Sequence, residues 1–204
     1  MGARNGWIRT LPLYKCSQGM ETKTLSHVSL EDIAMHVKEA IARRRSIRTY
    51  AETSVPPEHM ETLFQALQLA PSASNTQNWE FVLVGDPDLK RRLVRACFHQ
   101  SFVAQCAYFI AGVADPALRW HQVDITIALT NFTLQATELG YGTCWIGAFD
   151  ENGVKELLGV PEYKKVVVCM TLGMPKGKPF PSGRKPLEEF IYLDNYGHPW
   201  KHTT

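Results

Sequence analysis

Gly140-Tyr141-Gly142-Thr143-Cys144-Trp145-Ile146-Gly147 closes a long segment of helical apolar periodicity and opens a strand-prone one. Its glycines look superficially like a dinucleotide fingerprint. That fingerprint follows a strand and opens a helix, so that a helix N-terminus faces the pyrophosphate. Here the order is reversed, and a Rossmann site is rejected. Two uses remain for the octapeptide, and they stand as equals: a tight helix-to-strand turn, or main chain at Gly147-Ala148 that a flat ligand can approach closely.

Upstream, residues 120–139 carry two apolar stripes. Ile125, Leu129, Phe132, Ala136 and Leu139 form one; Val123, Ile127 and Leu134 form the other. A narrow polar edge of His121, Asp124, Asn131, Gln135 and Glu138 is left. A helix apolar on more than one side must be buried on more than one side. In a chain this small, the second burying partner is expected to be another subunit.

Further out, a helical pattern runs from Val28 and ends before Ile47-Arg48-Thr49-Tyr50, which is strand-prone. Pro56-Pro57 suits a first helical turn, and Met60, Leu63, Phe64 and Leu67 follow on one face up to Ala70-Pro71. Strands are expected over 79–84, 108–113, 143–149 and 165–172, with helices opening at Asp86-Pro87 and at Gly153. Residues 173–186 form a Pro/Gly/Lys-rich loop, and Ile191-Tyr192-Leu193 a short last strand. The alternation predicts an α/β or α+β sandwich. Residues 1–27 lack periodicity and read as an N-terminal arm or disordered extension, with Met20 an alternative start; residues 28–204 form the single domain.

The bulk numbers fit one substantial core: 204 residues, 45% hydrophobic and 21% charged. A formal net charge of +2 gives no footprint for nucleic acid. Five cysteines, an odd number with no C-x-x-C pair, argue against a disulfide framework and a zinc site. The sequence shows no membrane-spanning run and no secretory h-region, and it reads as cytoplasmic.

Two short segments carry chemistry. Arg44-Arg45-Ser46-Ile47-Arg48 sets three cations and a hydroxyl at the end of a helical pattern. Guanidinium forks and hydroxyls are what phosphate oxygens need, although such a cluster taken alone is commonly just a solvated helix end. Pro71-Ser72-Ala73-Ser74-Asn75-Thr76-Gln77-Asn78-Trp79 is a run of small hydrogen-bonders leading into a strand. Taken alone it is an ordinary polar loop; beside the first segment it suits the edge of a flat heteroaromatic ring. Together they suggest a phosphorylated, ring-containing cofactor. Gly173-Met174-Pro175-Lys176-Gly177-Lys178 lacks P-loop spacing, Cys144 has no argued base, and the seven histidines have no partner at metal-ligand spacing.

In this order, the R-x-S-x-R, P-S-x-x-N-x-Q-x-W, G-x-G-T-C-W-I-G-x-F and late R-K-P segments resemble the FMN-dependent nitroreductase family over roughly Val37 to Tyr196. The resemblance implies an α+β fold with a mixed, mainly antiparallel sheet flanked by helices, in a domain-interleaved homodimer. It implies FMN at the subunit interface and NADH or NADPH as reductant. Arg44, Arg45 and Ser46 would hold the phosphate and ribityl end, Arg48 would lie beside the flavin N1/O2 edge, and Arg184 and Lys185 would close over the phosphate. Ser72, Ser74 and Asn75 would come from the partner subunit, with Asn75 on the ring; Ile146, Gly147 and Ala148 would lie against the ring near flavin N5; and Pro71, Gln77 and Trp145 would belong to the cofactor site as well. Hydride passes through N5, so no side chain is assigned as a catalytic acid or base, and no metal is expected. Nitroaromatics, quinones or similar small electron-poor molecules would be the acceptors, by ping-pong transfer. A flavin-fragmenting or dehalogenating enzyme of the same fold and a non-turnover flavin-binding sensor are the alternatives. One departure stands out: Asn78 occupies the position before Trp79 where the family commonly has Pro.

Overall fold

A computed structural model of the chain describes residues 35–177, 179 and 182–200. The expected N-terminal arm, and the first turns of the helix expected from Val28, lie outside the described residues.

The elements in chain order are α1 (Val37–Arg43), α2 (Pro57–Gln68), β1 (Glu80–Val84), α3 (Pro87–Ala96), α4 (Phe102–Gln105), β2 (Tyr108–Ala114), α5 (His121–Glu138), β3 (Gly142–Ile146), α6 (Glu151–Leu158) and β4 (Lys165–Gly173). The four strands form one sheet in the order β1-β2-β4-β3, every pairing antiparallel. Parallel pairing is confined to an isolated bridge between Ser46 and Thr143. The expected α+β architecture is therefore present.

Strand alternation divides the core. On β2, Phe109, Ala111 and Val113 face one side with Leu93 of α3 and Val154 of α6, while Ile110 faces the other with Leu63 of α2 and Phe132 of α5. Each large apolar side chain so buried contributes about 1.5–3 kcal/mol, which fixes both helical layers to the sheet. The first stripe of α5 is the sheet-facing one: Ile125, Leu129, Phe132 and Ala136 are fully buried.

Several expectations need correction. The strand expected over 143–149 ends at Ile146, because the next two residues leave the sheet. Residues 46–50 are extended but join no strand; their β-bridges are isolated ones, Ser46 to Thr143 and Tyr50 to Pro175. Ile191-Tyr192-Leu193 is not a strand; Tyr192 makes one bridge to Pro199, and all three residues stay largely outside the core. Asp124, read as part of a solvated edge, is only 3% exposed.

Candidate functional site

The cation segment leaves α1 at Arg44 and runs along the edge of β3. Ile47 N–H donates to the Thr143 carbonyl at 2.9 Å, and Ile47 packs where any side chain at Gly142 would overlap it. That close approach is why a glycine stands at the start of β3. Tyr50 locks the far end: its hydroxyl lies 2.7 Å from both the Ile47 carbonyl and Thr171 Oγ1. Burial, only partly offset by the Thr171 bond, drives the Tyr50 phenol well above its ordinary range, so it acts as a neutral strut. With Ile47 and Tyr50 turned inward, Ser46, Arg48 and Thr49 are turned outward.

Those outward residues form one wall of a cleft of about 570 Å³. Arg44, Arg45, Arg48, Lys176 and Arg184 supply five cations to it; Ser46, Thr49 and Ser182 supply hydroxyls; no carboxylate lines it among the described residues. Main chain closes the other side, through Lys176 N–H to the Thr49 carbonyl at 3.0 Å and Ala51 N–H to the Met174 carbonyl at 2.9 Å. Arg45 turns back to cap its own helix, donating to the Ala42 and Arg44 carbonyls. Arg184 donates to the carbonyls of Ser182 and Gly183. The side chains of Arg44, Arg48 and Lys176 make no ion pair or hydrogen bond among the described residues. Several clustered cations without a counter-charge repel one another, and an anion relieves that repulsion.

The second segment lies elsewhere. Ser72 Oγ accepts from Gln77 N–H at 2.9 Å, and Gln77 Nε2 donates to the Asn75 carbonyl at 3.3 Å, closing a compact loop. Ser74, Asn75 and Gln77 have φ of 52°, 54° and 50°, the left-handed region that non-glycine residues seldom occupy. Ala73 N–H donates to Asp124 Oδ1 on α5 at 3.1 Å. Asn78 exchanges two hydrogen bonds with the main chain of Asp115, each 3.2 Å. The family's proline would fix one φ at this position; here an amide side chain supplies the restraint instead. Pro71, Ser72 and Ala73 line a small hollow of about 200 Å³ with α5, and none of them lines the cation cleft.

The third segment ends β3. Trp145 is half-buried and Ile146 is 1% exposed, so in the single chain Ile146 is closed to a ligand. Gly147 and Ala148 are exposed, and no heavy atom lies within 4 Å of where a Gly147 side chain would begin. Packing does not demand that glycine. Cys144 beneath it is a protonated thiol: burial raises its pKa, against weaker opposing effects of Arg48 and Ser46. Cys97 and Cys106 are pushed up to about 12 by burial.

One chain therefore brings Arg44, Arg45, Ser46, Arg48 and Arg184 into a single cleft, but not Pro71, Ser72, Ser74, Asn75 or Gln77. Lys185 is not among the residues lining it. Lys176, Thr49 and Ser182 line it without having been singled out. The only sequence signal for Lys176 was its place in a basic Pro/Gly loop, which is too common to be specific.

The nitroreductase family model matches residues 41–115 and 98–174. The chain belongs to the nitroreductase family. Among its relatives is the Bacillus subtilis protein named FMN reductase [NAD(P)H], 27% identical over 184 residues, covering 78% of this chain and 74% of the relative. An Archaeoglobus fulgidus protein whose name carries NADH dehydrogenase/NAD(P)H nitroreductase is 33% identical over 145 residues, covering 67% of this chain and 83% of its own length. The solved structure of the NADPH:FMN oxidoreductase from Vibrio harveyi, complexed with NAD+, superimposes with a TM-score of 0.74 at 28% identity, over 78% of this chain and 77% of that one. Among the described residues of this nitroreductase-family chain, no helix is long and apolar enough to cross a membrane.

Proposed function

We propose that this chain is an FMN-dependent NAD(P)H oxidoreductase that reduces small electron-poor acceptors such as nitroaromatics and quinones. The observation that carries the reading is the cleft between residues 44–49 and the loop holding Lys176, Ser182 and Arg184, with five cations, three hydroxyls and no carboxylate among the described residues. That donor set fits a phosphate monoester. The names of the relatives, FMN reductase and NADPH:FMN oxidoreductase, agree with it.

In this reading Arg44, Lys176 and Arg184 neutralise the phosphate, and Ser46 donates to its remaining oxygens, while the Thr49 hydroxyl donates to the Lys176 carbonyl and ties the two walls together. Arg48, two residues along the same extended segment, is directed at the pyrimidine edge of the ring. A guanidinium there stabilises the negative charge that reduction brings. Gly147 and Ala148 offer a bare strip of main chain that leaves the reactive ring face accessible. Bound FMN supplies hydride transfer at N5, so the chain needs no acid–base dyad.

The reading includes a homodimer, because the ring-edge loop and the cation cleft lie apart within one chain. Three further observations support it. Val123 is 46% exposed, and Ile127 and Leu134 of the same stripe are only half-buried. β1 is an open sheet edge. Leu187, Phe190, Leu193 and Tyr196 stand exposed near the C-terminus, in keeping with exchange of that segment between subunits. Four free, buried thiols suit a reducing, cytoplasmic setting.

The test is anaerobic absorbance of purified, FMN-loaded protein. Addition of NADH or NADPH bleaches the flavin, and a nitroaromatic or quinone restores it over many turnovers. Protein that takes up no FMN at micromolar concentration ends the reading; FMN that neither nicotinamide bleaches makes the chain a flavin-binding protein without turnover.

A further inference from the structure

We propose that Asp124 and Asn78 are positioning residues that hold the Pro71–Trp79 loop in its recognition form. The proposal rests on the FMN reading above. Asp124 is a carboxylate 3% exposed, in no ion pair among the described residues, and its one hydrogen bond there is from the Ala73 main-chain N–H. A buried carboxylate is costly, and its place in the first turns of α5 offsets only part of that cost. Spending it on one main-chain amide of a surface loop has a consequence: the loop is fixed at its entry. Asn78 fixes the exit, with two hydrogen bonds to the Asp115 main chain just beyond β2.

Between these two pins lie Ser74, Asn75 and Gln77, all with positive φ. Such strain persists only where the surroundings over-determine the backbone. The internal bond from Gln77 N–H to Ser72 Oγ ties the loop to itself, whereas Asp124 and Asn78 tie it to α5 and β2. Releasing either pin lets residues 74–77 relax towards ordinary φ. The side chains that meet the ring edge then become a scattered set, which binding must order again. Asp124 and Asn78 thus act through the loop and touch no cofactor themselves.

The experiment compares Asp124→Ala, Asp124→Asn and Asn78→Ala in the full-length protein, by FMN titration and by hydrogen exchange of residues 71–79 without FMN. Asp124→Ala is expected to raise the FMN Kd roughly tenfold, equivalent to about 1.4 kcal/mol, and to speed exchange in the loop while the dimer persists in sedimentation. Asp124→Asn restores both, since its amide oxygen still accepts from Ala73 N–H. Asn78→Ala shifts both readouts in the direction of Asp124→Ala, and decides the matter alone if Asp124→Ala does not fold. Wild-type loop exchange in the alanine variants overturns the proposal. So does faster exchange with unchanged FMN affinity, or an Asp124→Asn variant as defective as Asp124→Ala. Wild-type protein that refuses FMN is a different result, because it removes the cofactor reading itself and this role with it.

Discussion

In the proposed FMN reading, the cation cleft and the 71–79 loop would solve the problem of recognition in opposite ways. The cleft is built from long, flexible, charged side chains on one chain, three of them (Arg44, Arg48 and Lys176) without partners among the described residues. The loop is built from small groups and strained main chain, held by half-buried hydrogen bonds on a different part of the molecule. A phosphate is nearly spherical in charge and tolerates an adaptable cradle. A ring edge presents donors and acceptors at fixed spacing, so the groups that read it must be fixed as well. In that reading flexible charge would supply attraction, and rigid main chain would supply discrimination.

The largest expected effect comes from forcing the two regions apart. Ile127→Glu places a charge on the second stripe of α5, beside the hollow where the loop rests. Ile127 is half-buried in the single chain, so the variant is expected to fold. An unpaired charge buried at an interface costs several kcal/mol, enough to separate subunits. Sedimentation should show a monomer, and FMN should be lost with the dimer. A monomer that keeps FMN would mean that one chain completes the site.

Next come the cradle residues. Arg44→Ala or Arg184→Ala each removes a charge-assisted contact of ~1.5–3 kcal/mol, roughly a ten- to hundredfold loss of FMN affinity. Increasing salt should narrow the gap from wild type, because exposed charges are screened. Equal losses at every ionic strength would argue that these arginines act through packing.

A smaller and different change is expected for Arg48→Ala. FMN should stay bound, while the two-electron potential falls and reduction by NAD(P)H slows several-fold, measured by stopped-flow bleaching. If Arg44→Ala, Arg184→Ala and Arg48→Ala behave alike, the division between phosphate and ring roles collapses.

The smallest effect concerns the thiols between the sheet and its helices. Cys97 and Cys106 have pKa values raised to about 12 by burial, and Cys144 and Cys169 are raised as well. Their folded values lie above the unfolded ones, so the neutral thiols favour the fold fully below about pH 8.5, and that contribution is lost as pH rises through the folded values. Alkylation at pH 8 followed by peptide mapping should leave these four unlabelled in native protein and labelled in denaturant. Fast native labelling of Cys144 would reopen it as a reactive group at the site.

Much of this was legible in residue order alone. The helix-to-strand direction of Gly140–Gly147 excluded a dinucleotide site, strand-prone runs located all four strands, and the 3.6-residue pattern located both apolar stripes of α5, because burial acts directly on local sequence. Arg44, Ser46 and Arg48 could be singled out because phosphate chemistry limits the residue types that serve it. Asp124 could not: helical spacing set it on a polar edge, and only the arrival of Ala73 from 51 positions away buried it. Lys176 likewise enters the cleft through a main-chain bond to Thr49, and the left-handed turns at Ser74, Asn75 and Gln77 carry no glycine to announce them. Sequence determined what is decided within a few residues, namely element type, apolar face and the chemistry of a motif. Tertiary structure decided which distant groups meet and which backbone is held under strain, because those depend on contacts between elements that no local pattern encodes.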